Sequence, residues 1–70
     1  MSAKDYAARA DRLAEKAQTM GHAGTWLDAA HLYTLAMQNT ADDYKATEYR
    51  RAAQWCNDQA CTIRQFYGVA

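Results

Sequence analysis

The stretch TWLDAAHLYTLAM, residues Thr25–Met37, decides the fold. Trp26, Ala29, Ala30, Tyr33, Ala36 and Met37 recur at helical spacings, which gathers them on one side of an α-helix. Leu27, His31 and Leu35 line up four apart on another side, and Leu32 covers a third direction. A helix that is apolar nearly all round is one that neighbouring structure has to cover.

The sequence on either side supplies two more helices. Upstream, Ser2 followed by Asp5 has the form of a capping box, and Tyr6, Ala10, Leu13, Ala17 and Met20 follow at spacings that form one buried face. The segment Gly21 to Gly24 ends that helix. Thr25 with Asp28 repeats the capping signature and opens a second helix to about Asn39; Thr40 with Asp43 gives a third start. The third helix continues to about Tyr67 along Tyr49, Ala52, Cys56, Ala60, Ile63 and Tyr67, with Gly68 as its stop. Proline is absent and glycine is confined to positions 21, 24 and 68. The expectation is an all-α chain: a small three-helix antiparallel bundle with helices at about 3–20, 26–39 and 41–67, forming one domain over 1–70.

Composition bounds what such a bundle can do. Half of the 70 residues count as hydrophobic, yet many are alanine, which favours helix and contributes little burial per residue. A core in a chain this short supplies only about 3–5 kcal/mol, so support from outside the monomer is expected. Eight basic residues balance eight acidic ones, and no overall field draws the chain to nucleic acid or an anionic membrane. The charged start of the chain lacks the apolar run of a secretory signal, and nothing approaches a membrane span, which points to the cytoplasm. Cys56 and Cys61 are then reduced thiols, ~140° apart around one helix and poorly placed to bridge.

Gly24, Trp26, Ala29, Tyr33 and Ala36 fall where a tetratricopeptide repeat places its small turn residue, aromatic, alanine, aromatic and alanine. Leu13 and Ala17 occupy packing positions of that repeat's first helix. The hairpin over residues 10–40 resembles one such repeat, although Ala41 stands near the place of the usual proline. With its longer third helix, the whole chain is also similar to the microtubule-interacting-and-trafficking domain. Both resemblances imply a helical scaffold that binds protein.

Two surfaces are candidates for that binding. Leu27, His31 and Leu35 form a strip on the second helix suited to a homodimer or an obligate partner, the plainer alternative being that the third helix covers it. A proton on His31 would oppose burial there in mild acid; the plainer reading is a packing histidine. On the third helix, Tyr44, Trp55 and Phe66 recur every eleven residues, nearly in line, with Arg51 beside them, and Tyr, Trp and Arg are the types enriched at binding hot spots. The competing reading takes these aromatics into the core of a helix that touches both others.

Chemistry finds little foothold in the residues. His22, His31, Cys56 and Cys61 lack the paired spacing of a structural zinc site, and neither a cofactor nor a metal is expected. No nucleophile elbow, phosphate loop or zinc-protease motif occurs, so no catalytic residues are assigned and the chain reads as a non-enzyme. Asp42 and Asp43 at a helix start are explained by capping. Arg9, Arg12 and Lys16 share an edge of the first helix, while Lys45, Arg50, Arg51 and Arg64 decorate the third. Asp5, Glu48 and Asp58 interrupt both patches, which argues against nucleic acid. The expected function is a self-associating protein-interaction module, a small accessory or regulatory protein of the kind phages and plasmids often carry. The alternatives are a helix-turn-helix-like DNA-binding regulator and a purely structural homo-oligomer.

Overall fold

The computed structural model describes residues 2–66. Three helices follow in order: α1 (Ala3–Met20), α2 (Ala23–Gln38) and α3 (Asp43–Phe66). They pack antiparallel in sequence, with α2 in the middle against both neighbours, while α1 and α3 run parallel and scarcely meet. The body is elongated, with extents of 40 × 17 × 15 Å. The all-α expectation holds; the expected end of the third helix at Tyr67 and the Gly68 stop lie outside the described residues.

The first cap is the expected one. Ser2 accepts a hydrogen bond from the Asp5 backbone N–H at 3.3 Å, and the Ser2 N–H donates back to the Asp5 carboxylate. Those contacts, backbone first and side chain second, hold the exposed Asp5 carboxyl below its usual range. At the other end Gly21 adopts a left-handed φ of 69°, and its N–H donates to the Ala17 carbonyl at 2.7 Å.

Two helix starts differ from the expected ones. The turn at Gly21 reverses the chain so quickly that α2 begins at Ala23, with His22 as an N-cap that makes no side-chain bond. Thr25 and Asp28 therefore lie inside the first turns of α2, and Gly24 is an ordinary helical residue with open space where a Cβ would sit. The third start is displaced from Thr40 to Asp42, whose carboxylate accepts from the N–H groups of Tyr44 and Lys45 at 2.9 and 3.3 Å. Asp42 wins because an ionised acceptor at an N-terminus binds these donors more strongly than a neutral hydroxyl. Thr40 instead accepts from the Asp42 N–H, bracing the joint.

Alanine dominates the core. Ala10, Ala14 and Ala17 from α1, Ala29, Ala30 and Ala36 from α2, and Ala53 and Ala60 from α3 are buried, joined by Trp26, Tyr33 and Cys56. The face of α1 is thus turned from the expected stripe. Ala14 is inside, Leu13 packs at the edge, and Met20 is 48% exposed. On α2 the expected face is buried as read, apart from a half-buried Met37. On α3, Cys56 and Ala60 are buried with Ala53, while Tyr49, Ala52 and Ile63 pack against the core edge.

Asp42→Ala lowers stability by about 1 kcal/mol, a melting-temperature drop of about 4–8 °C, and Thr40→Ala by less than half of that. The reverse order in thermal melts would return the cap to Thr40. Ala29→Leu, at a position with no exposed surface, destabilises by about 1–3 kcal/mol through overpacking; an unchanged melt would show that the helices are not in close contact there.

A candidate interaction surface on the third helix

Tyr44, Trp55 and Phe66 lie outside the core. They are 72%, 45% and 80% exposed, and Arg51 beside them is exposed as well. Eleven residues at ~100° each return to within ~20° of the starting direction, so the aromatics form a row about 33 Å long. The buried positions Ala53, Cys56 and Ala60 lie on a different side of the same helix, which is why the row is left on the flank.

The centre of the row is anchored. The ring of Trp55 meets that of the buried Trp26 edge-on, with centroids 5.0 Å apart and planes at 88°. This arrangement suits the aromatic quadrupoles and contributes about 0.5–1.5 kcal/mol beyond area burial. Trp55 is therefore held by the core on one side and open on the other. Glu48, Asp58 and Thr62 are exposed and Gln59 half-buried on the same stretch. The sequence reading passed over these four as binding residues, although their offsets of three, four and seven from Trp55 place them beside the row.

The strip on α2 is less open. Leu27 packs against the core, Leu35 is half-buried, and His31 is exposed between them. The structure thus brings together Tyr44, Arg51, Trp55 and Phe66 on one helix flank, and leaves the α2 strip with little apolar surface. At the far end of the bundle, Met20, His22, Ile63 and Arg64 border an open depression of about 520 Å³. Arg9 and Arg12 line a shallow cleft together with Asp5, so the basic edge of α1 contains its own carboxylate.

Titratable groups inside the bundle are few. The Tyr33 hydroxyl donates to the Asp11 carboxylate, tying α2 to α1. Burial first, and then the bond to Asp11 and its charge, push the Tyr33 pKa well up. Burial, followed by the same Asp11 charge, pushes the Cys56 thiol up. Cys56 itself has no exposed surface and belongs to the core. Cys61 is free and exposed. Among the described residues no group of three or more His, Cys, Asp or Glu side chains is placed to hold a metal ion, and no helix is long and apolar enough to cross a membrane.

No protein-family model, curated protein or solved structure matches the chain. The candidate surface rests on its own geometry.

The two raised acids set an alkaline limit. Ordinary Cys and Tyr ionise near about 8.5 and about 10, so above those values the unfolded chain loses protons that the folded chain retains. Stability is fully present below about pH 8.5 and falls as the pH rises from there. Urea midpoints at pH 7 and pH 10.5 should show this loss, and Tyr33→Phe with Cys56→Ala should flatten it. An equally steep loss in the double variant would remove these two groups as its cause.

Proposed function

We propose that the chain is a non-enzymatic protein-interaction module, a small accessory or regulatory protein that acts by occupying another polypeptide with the flank of α3. The observation that carries this reading is the row Tyr44, Trp55 and Phe66, three large aromatics left open on one side of a helix that packs on the core through Ala53, Cys56 and Ala60 on another. A folded chain that leaves three aromatics in line on its surface offers the residue types that concentrate binding energy. The likeness of the α1–α2 hairpin to a tetratricopeptide repeat, and of the whole chain to a microtubule-interacting-and-trafficking domain, supports the same class of function.

Self-association belongs to this reading. The strip Leu27, His31 and Leu35 offers it little area, because Leu27 is engaged by the core and His31 is the exposed member. The flank of α3 presents far more apolar surface.

The reading is tested by comparing the wild-type chain with the Tyr44→Ala/Phe66→Ala variant as immobilised bait against host extract and against a differently tagged copy of the chain. Both substituted positions are open, so the variant's stability should stay within about 0.5 kcal/mol of wild type. A protein retained by wild type and lost by the variant supports the reading. Equal retention, or none by either bait, overturns it.

A further inference from the structure

We propose that the occupant of the α3 row is a second copy of the same chain, seated with the two α3 helices antiparallel about a two-fold axis beside Trp55. This rests on α3 being the binding flank and names its partner. The row is symmetric about its middle: Tyr44 lies eleven residues before Trp55, and Phe66 eleven residues after it. A two-fold axis at Trp55 lays Trp55 beside its own copy and Tyr44 against Phe66 of the second copy at both ends. A two-fold interface uses one patch twice and needs this self-complementarity.

Charge selects the same arrangement. Arg51 precedes Trp55 by four residues, and Asp58 follows it by three. At ~1.5 Å and ~100° per residue the antiparallel pairing sets these two side chains within about 2 Å along the seam and on the same side of it. Each Arg51 then faces Asp58 of the other copy, twice per dimer. A parallel pairing in register would oppose Arg51 to Arg51 and Asp58 to Asp58, which like-charge repulsion disfavours. Both residues are exposed in the single chain.

The area is consistent with a weak dimer. Taking roughly 200 Å² for each aromatic side chain, the observed exposures leave roughly 400 Å² of aromatic surface per copy. A standard interface takes about 800 Å² per partner, and weak ones fall below about 600 Å². Glu48, Arg51, Gln59 and Thr62 flank the aromatics and add to this area, which places the contact among the small, weak interfaces.

Sedimentation equilibrium of the full chain in a Cys61→Ser background, from micromolar to near-millimolar concentration, tests the proposal. Arg51→Glu and Asp58→Arg should each weaken the dimer about tenfold, and the two together should recover most of the loss, because the exchanged charges meet across the seam. Orientation is read by oxidation. Glu48→Cys and Thr62→Cys chains should form a disulfide with each other when mixed, and little with themselves. A chain that stays monomeric throughout overturns the dimer. If that monomer still loses a host partner on Tyr44→Ala/Phe66→Ala, the interaction reading survives without it. A dimer that ignores both charge reversals, or that crosslinks Glu48→Cys to Glu48→Cys, overturns the antiparallel seam.

Discussion

Close approach of three helices along alanine is the constraint on which the structure depends. Ala10 and Ala17 on α1 and Ala29 and Ala36 on α2 have no exposed surface, and Ala53 and Ala60 continue the seam onto α3. A methyl group lets two helix backbones come nearer than leucine would, and dense contact replaces bulk as the source of cohesion. The seam leaves few places for a large side chain inside. Trp26 and Tyr33 take them from the central helix, and Cys56 fills a space of its own on α3.

What the seam cannot hold, it sends to the flanks. The third helix spends its buried side on small residues, so Tyr44, Trp55 and Phe66 have no core to enter. Trp55 links the two regions, with its ring in a T-shaped contact with Trp26 and nearly half of the residue in solvent. That contact places the middle of the aromatic row at a fixed height above the core. A preorganised aromatic on a packed helix loses little freedom on binding, which favours it as an anchor.

Much of this was legible in the residues. Helix number, order and class followed from spacing, and the Ser2 cap, the reversal at Gly21 and the inward face of α2 were readable because each is a local signal. The starts of α2 and α3 were not, for a physical reason: Thr25 and Thr40 have the right chemistry, but a helix begins wherever the turn before it finishes. Gly21 finishes early, and Asp42 offers a stronger acceptor than Thr40. The α1 stripe was misplaced toward Leu13 and Met20 because a pattern of bulky residues is easier to see than one of alanines. Whether Tyr44, Trp55 and Phe66 face in or out could not be read from spacing at all, since a wide core arc and an exposed row share the same period.

A core built on alanine also limits its own strength. Each buried methyl removes little surface from water, and three large aromatics that would contribute more, Tyr44, Trp55 and Phe66, lie on the surface of α3. Any polypeptide that covers the row adds to the stability of the fold by mass action, since it binds the folded chain and not the unfolded one. The distribution that exposes the aromatics therefore also makes the chain respond to having them covered. Trp55 is where the two effects meet, because burying its open side would tighten a ring that already rests on Trp26 in the core.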